Sequence, residues 1–238
     1  MKYIDAHCHI LSDAQMRDAA ACGMGRFIVN ATQPSDWNKV IELAQRGDVF
    51  GAIGVHPWFI ANLAHDWDVD LIEILTANPN LMVGEIGLDK NHDDTDAQLS
   101  LFRRQIQIAH NLGRVANIHV VGTWGKMMDV LRGTDLPPIM VFHAFSGAPE
   151  LIPELVKMNA FLSFGSAVCD TRRAQLRLSV AAVPESRILV ESDAPDGAAP
   201  CTIPDTVSEI ARIRGVAPER MAEIIYKNTM RILNEQQI

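Results

Sequence analysis

Eight short apolar runs recur along the chain, at 3–9, 27–32, 50–56, 81–89, 115–120, 139–145, 161–165 and 188–193, and most are continuous rather than alternating. A strand that is apolar on both faces must be covered on both faces, as in a parallel sheet wrapped by helices. The intervening segments support this, because 37–46, 68–77, 96–112, 124–131, 150–158 and 171–183 carry helical spacing. A last amphipathic segment, 218–233, has Pro218 and Glu219 at its start and is expected to pack as the closing helix. Segment 196–204, DGAAPCTIP, reads as the loop after the eighth strand.

Eight strand–helix units in 238 residues match a single (β/α)₈ TIM barrel occupying 1–238 as one domain. An open doubly wound sheet competes, and length alone also admits two unequal domains. The polar residues decide between them. Strand after strand ends in a group capable of chemistry: His7 and His9, Asn30 and Thr32, His56, Glu85 and Asp89, His119, His143, and Asp193. Only closure into a barrel brings the first and eighth strands side by side and gathers these groups into one ring.

Along an extended strand His7 and His9 project to the same face, while Cys8 points the other way, into the helical layer. Glu85 lies inside the apolar run LMVGEIGLD, where an uncompensated buried carboxylate would cost several kcal/mol. His119, His143 and Asp193 also end apolar strands. Each alone reads as a hydrogen-bonded core residue, but six imidazoles and carboxylates at the same end of a barrel point to a cation site. Four imidazoles and two carboxylates suit one or two divalent ions such as Zn²⁺ or Mn²⁺ better than Mg²⁺, which prefers oxygen ligands.

The segments IDAHCHI, AIGVHPW, VGEIGLD, QLSLFRRQIQIAHNLG, NIHV, VFHAFSG, LVESDAP and RGVAPERMAEIIYKNTMRIL follow one another in order along the chain. Together they resemble the TatD-type metal-dependent hydrolases, a branch of the amidohydrolase-like barrels whose members are mostly described as deoxyribonucleases. The resemblance implies that His7 and His9 hold a first metal, that Glu85 bridges two, and that His119 and His143 hold the second. It further implies that Asp193 completes the first site and handles the attacking water, so that Asp193 and Glu85 are the catalytic pair. Mg²⁺ is kept among the candidate ions only for this resemblance. The implied activity is hydrolysis of phosphodiester bonds by metal-activated water, of the 3′ exonuclease-like deoxyribonuclease kind.

Three departures concern the substrate. Where the family commonly carries a polar residue and an arginine after the strand-five histidine, this chain has Val120 and Val121. Lys90, Asn91 and His92 replace tyrosines after GLD, and Asp196 begins an unusual loop after DAP. His56, Lys90, Trp58 and Trp124 are the candidate substrate contacts, through a ring nitrogen, a cation and two stacking surfaces respectively. Arg103 and Arg104 read as a solvated or ion-paired helix face, and Asp94 or Thr95, within HDDTD, as the cap of the helix from Asp96.

A net charge of −8 argues against a broad basic surface for polynucleotide, so DNA would be bound weakly. Two other functions fit the same residues: hydrolysis of a small ester, lactone, amide or phosphorylated metabolite, and metal binding without catalysis. No protein partner is inferable. No apolar run reaches membrane-spanning length, and the dispersed Cys8, Cys22, Cys169 and Cys201 read as free thiols, which makes a cytoplasmic protein the expectation.

Overall fold

A computed structural model describes residues 3–92 and 94–236. Its single sheet has eight parallel strands in sequence order: β1 (Tyr3–Cys8), β2 (Met24–Asn30), β3 (Val49–Ile53), β4 (Met82–Asp89), β5 (Ala116–Val121), β6 (Met140–Phe142), β7 (Ala160–Phe164) and β8 (Ile188–Val190). Around it run α1 (Asp13–Ala21), α2 (Pro34–Leu43), α3 (Trp67–Ala77), α4 (Thr95–Asn111), α5 (Trp124–Arg132), α6 (Ile152–Lys157), α7 (Ala174–Ala182), α8 (Ile203–Arg214) and α9 (Pro218–Gln236). This is the (β/α)₈ barrel expected from the apolar runs.

The seam between β8 and β1 is joined just beyond the ladder of β8. The amide of Asp193 donates to the carbonyl of His7 (3.0 Å), and that of His9 to the carbonyl of Ala194 (2.7 Å). Below them the fully buried Asp5 accepts from Ser192 twice, from its amide (2.9 Å) and its hydroxyl (2.5 Å). Burial pushes the Asp5 carboxyl up to about 7, although the Ser192 hydrogen bonds pull the other way. These bonds place the histidines of strand one directly beside Asp193.

Two apolar layers hold the barrel. Cys8, Val29, Val83, Ile118 and Phe142 belong to the cluster that includes the helix residues Val40, Leu71, Phe102 and Met127. The smaller cluster joins Ile28, Ala52, Val141 and Leu189 to Ile232 and Leu233 of α9. Gln236 of α9 accepts from the amide of Val115 (2.8 Å) and donates to the carbonyl of Leu81 (3.0 Å), so α9 crosses the starts of β5 and β4. With that end covered, the other end of the strands carries the polar groups. Among the described residues, no helix is long and apolar enough to cross a membrane.

Several expectations need correction. Helix α1 fills the first of the eight expected strand–helix units, but its range carries little signal, because DAQMRDAAA buries only Met16 and Ala19 and shows no wide apolar stripe. Helix α8 begins inside the segment expected to be a loop, at Ile203, and Ile203, Val207, Ile210 and Ala211 form its buried stripe. Pro204 in its first turn is compatible with a helix start rather than a loop. The ladders of β6 and β8 stop at Phe142 and Val190, before the polar residues that follow them. Cys22 and Cys201, 179 residues apart in sequence, form a disulfide with Cα atoms 4.9 Å apart, whereas Cys8 and Cys169 are free. Tertiary proximity, invisible in the spacing, makes that pair, and the free-thiol argument for a reducing compartment falls with it. Asp94 caps α4 by accepting from the amide of Ala97 (3.0 Å), and Arg104 pairs with Asp68 (2.7 Å); Asp93 lies outside the described residues.

Candidate metal centre

The six side chains singled out from the sequence converge at the C-terminal mouth of the barrel, around the two oxygens of Glu85. Oε2 faces His7 Nε2 (3.3 Å) and His9 Nε2 (3.1 Å), and Asp193 Oδ1 lies 3.9 and 3.4 Å from the same two nitrogens. Oε1 faces His119 Nδ1 (2.9 Å) and His143 Nε2 (2.7 Å). The two nitrogens within each pair lie 3.3 Å apart for His7 and His9, and 3.0 Å apart for His119 and His143. Donors about 2.1 Å from one cation stand roughly 3.0–3.4 Å from each other, so these separations suit two neighbouring ions sharing one carboxylate. Three-residue groups able to hold an ion, His7–His9–Glu85 and His7–His143–Asp193 among them, are found here.

The strands aim these groups through local backbone devices. A Cβ on Gly87 would collide with the backbone carbonyl of His119, so glycine allows β4 and β5 to pair where Gly87 lies opposite His119. Asp193 adopts a left-handed conformation (φ 57°), which aspartate tolerates better than most residues, and this turns its carboxylate across the seam. Of the carboxylates, Asp193 is the more open: its side chain is 28% exposed, against 3% for Glu85.

The outward nitrogens are oriented as a cation site requires. The carbonyl of Asn30 can only accept, so His9 Nδ1, 2.9 Å away, carries the proton and leaves Nε2 with its lone pair. His119 does the reverse, donating from Nε2 to Asp89 Oδ2 (3.2 Å) and turning Nδ1 inward. Behind His143 lies Glu191, fully buried, with Oε1 3.5 Å from Nδ1 and accepting from the amide of Ala144 (2.6 Å).

The electrostatics demand positive charge at this point. Burial opposes ionisation of Glu85, yet the surrounding imidazoles, His143 foremost, hold its carboxyl well below the usual range. Burial likewise works against a charged His9, but hydrogen bonds to Asp193 and Glu85 outweigh it and lift His9 to about 10. Burial also disfavours a charged His143, but Glu85 and Glu191 hold it well above its ordinary value. Burial and the charge of His143 lower His7. Such a nest of carboxylates and imidazoles, its inward nitrogens facing the oxygens of Glu85 and Asp193, fits divalent cations.

His56 is a neighbour of another kind. It is 4% exposed, its Nε2 is 3.5 Å from Glu85 Oε1, and proximity alone groups it with Glu85 and His119. Its Nδ1 accepts from the amide of Trp58 (3.3 Å), which leaves the proton of a neutral ring on Nε2. Burial lowers it to about 3, outweighing the attraction of Glu85. The ring thus offers a donor, not a lone pair, to the cluster.

The other proposed substrate contacts are spread around the mouth. Trp58 is 50% exposed, donates from Nε1 to Asp89 Oδ2 (2.8 Å), and stacks on His92 with centroids 4.8 Å apart. Lys90 is exposed, and its stem lies over Gly122. Trp124 packs its ring against Phe145 and Phe142, with its indole nitrogen buried.

Some positioning residues carry no local signal in the sequence. Gln98 and Gln105, two turns apart on α4, look like polar surface in sequence. Gln98 grips both the amide and the carbonyl of Asp89 (2.8 and 3.0 Å), and Gln105 does the same for Val55, just before His56 (2.8 and 2.9 Å). Glu191 had a visible signal, since it precedes Ser192 and Asp193 in an otherwise apolar strand. Beside Asp193 opens a cavity of about 680 Å³, walled by the loops after β6, β7 and β8 and rimmed by Arg172 and Arg173.

Comparison with known proteins identifies the family. Residues 4–234 match the family model described as TatD related DNase. An uncharacterized metal-dependent hydrolase of Escherichia coli K12, YjjV, is 30% identical over 207 residues, covering 82% of this chain and 80% of that protein. The crystal structure of YjjV superimposes with a TM-score of 0.91 at 26% identity, covering 98% of both chains. The 3′-5′ ssDNA/RNA exonuclease TatD of Erwinia tasmaniensis is 24% identical, with 93% of each chain covered. The matched family model, the identity to YjjV and the shared barrel lead to one conclusion: the chain belongs to the TatD family of metal-dependent hydrolases.

Proposed function

We infer that the protein hydrolyses phosphodiester bonds, and that His7, His9 and Asp193 would hold one divalent cation, His119 and His143 a second, with Glu85 shared between the two. The observation that carries this reading is the division of Glu85, one oxygen facing each pair of imidazoles. Zn²⁺ and Mn²⁺ suit the mixed nitrogen and oxygen donors, and Mg²⁺ is compatible with the carboxylates. Bound cations supply Lewis acidity, lowering the pKa of a water and neutralising charge on phosphoryl oxygens.

The chain's own residues do the rest. Asp193, the more open carboxylate, accepts the proton of the attacking water, a role that needs hydrogen-bond reach more than an unusual pKa. Glu85 holds the two nests in register, and Asp89 and Glu191 orient His119 and His143. His56 presents Nε2–H beside Glu85 and can donate to a substrate oxygen there. Trp58, stacked on His92 at the rim, offers a face to a base or sugar.

The relatives' names favour a nuclease acting on a nucleic acid end. A specific observation favours a short substrate instead: the strand after His119 ends in Val120 and Val121, so no guanidinium stands there, and the adjoining cavity is sized for a small molecule. Metal analysis coupled to activity on bis(p-nitrophenyl) phosphate and on single-stranded DNA tests both. Hydrolysis of the nitrophenyl diester with one or two bound ions is the expected result. A metal-loaded protein inactive on both would overturn the hydrolase reading, and preference for DNA over the small diester would overturn the short-substrate reading.

A further inference from the structure

The cavity beside Asp193 is lined by groups of both signs. Asp193, which touches the imidazole cluster, and the fully buried Glu191 supply the carboxylates; the exposed Arg172 and Arg173, from the segment leading into α7, supply two guanidinium groups. Phe145 and Phe164, each 1% exposed, form an apolar floor, and Ala144, Ala167 and Ala198 leave the space above it open. A volume of about 680 Å³ lies in the range that encloses one small ligand, roughly 300–1,000 Å³.

The two arginines are not equivalent. Arg172 is committed to Asp170 by a fork of two hydrogen bonds, Nε to Oδ1 and Nη2 to Oδ2, both 2.9 Å. Arg173 comes no nearer than 4.0 Å to the same carboxylate, and its side chain is 61% exposed at the cavity rim. Its guanidinium keeps its donors for something else, and a planar fork of N–H groups fits a phosphate in two places at once.

We propose that this cavity is the substrate pocket and that Arg173 binds a second phosphate of the substrate, remote from the ester that is cleaved. The substrate is thus a small doubly anionic ester, such as a nucleotide end with a further phosphate, rather than a tract of polymer. The charges fit: the scissile phosphate would lie beside Asp193 and the residues that would hold the cations, and the second phosphate would meet Arg173 at the exposed rim. This rests on the hydrolase reading and adds to it a substrate class and a residue that reads it.

The test compares thymidine 3′,5′-bisphosphate with thymidine 5′-monophosphate, by calorimetric binding to the Mn²⁺-loaded protein and by inhibition of bis(p-nitrophenyl) phosphate hydrolysis. In the unaltered protein the bisphosphate should bind about tenfold tighter. Arg173→Ala should bring that ratio close to one, and Arg173→Lys should recover part of it. Arg46→Ala, which removes a cation at the opposite end of the barrel, should leave the ratio near ten and so excludes a general charge effect. A ratio near one in the unaltered protein, or an unchanged ratio in Arg173→Ala, overturns the pocket while leaving hydrolysis of the nitrophenyl ester intact. Failure to hydrolyse any phosphodiester overturns the hydrolase reading, and the calorimetric ratio still decides the pocket.

Discussion

Replacing Asp89 by alanine tests whether the two halves of the centre are separable. Asp89 Oδ2 accepts from His119 Nε2 at 3.2 Å and from Trp58 Nε1 at 2.8 Å, and Oδ1 accepts from the amide of Asn91 at 2.8 Å. Its loss leaves His119 without the partner that fixes its tautomer and ring plane, while His143 and Glu85 stay in place. Outer partners of metal-bound histidines are worth about 10- to 100-fold in affinity, or roughly 1.4–2.7 kcal/mol. The contact of 3.2 Å is long for a charge-assisted bond, so the lower part of that range, about 10- to 30-fold, is expected. The fold should survive: Trp58 is half exposed and its indole can turn to water, so the stability cost stays near 1–2 kcal/mol. Titration of Mn²⁺ against a competing chelator should resolve two classes of site, one weakened by that factor and the other within twofold of the original. Trp58→Phe, which removes only the indole donor, should change neither class beyond about twofold. Equal weakening of both classes, or of neither, would refute the division of the site on Glu85.

Elemental analysis of Glu85→Ala should find both metals depleted, whereas His143→Ala should lose chiefly one; full occupancy in both variants contradicts the bridging role. Asp193→Asn should depress turnover by about 10²–10⁴-fold, measured alongside metal content on the same sample, and unchanged turnover removes Asp193 from proton transfer. On α8, Glu209 accepts from Arg212 (2.7 and 2.9 Å) and Arg177 (2.5 Å), and these bonds, Arg212's first, hold its carboxyl down to about 2. A carboxyl depressed in the folded state stabilises above its ordinary value near 4.5 and loses that contribution as pH falls toward 2. Glu209→Gln should therefore cost about 1 kcal/mol at pH 7, with the gap closing between pH 4.5 and 2 in thermal melts, and a gap constant with pH defeats the assignment.

Much of this protein was legible in its sequence because its strands are buried on both faces. That burial forbids an unpaired polar side chain, so Glu85 in LMVGEIGLD and His143 in IMVFHAF each needed a partner, and the gathering of six such groups at strand ends located a cluster at one mouth of a barrel. What the sequence could not contain is distance between segments far apart in the chain. The pairing of Cys22 with Cys201, the bond from Asp5 to Ser192 that closes the seam, and the grip of Gln98 and Gln105 on strand ends all join residues whose local context is ordinary. The bounds of helices α1 and α8 stayed hidden because a helix with a narrow apolar stripe, or with proline in its first turn, resembles a polar loop. Residue types at strand ends determined the chemistry available, whereas the closed barrel alone decided that Glu85 would turn one oxygen to each pair of histidines and that Arg173 would stand over the cavity beside Asp193, because both depend on how loops from different strands meet in space.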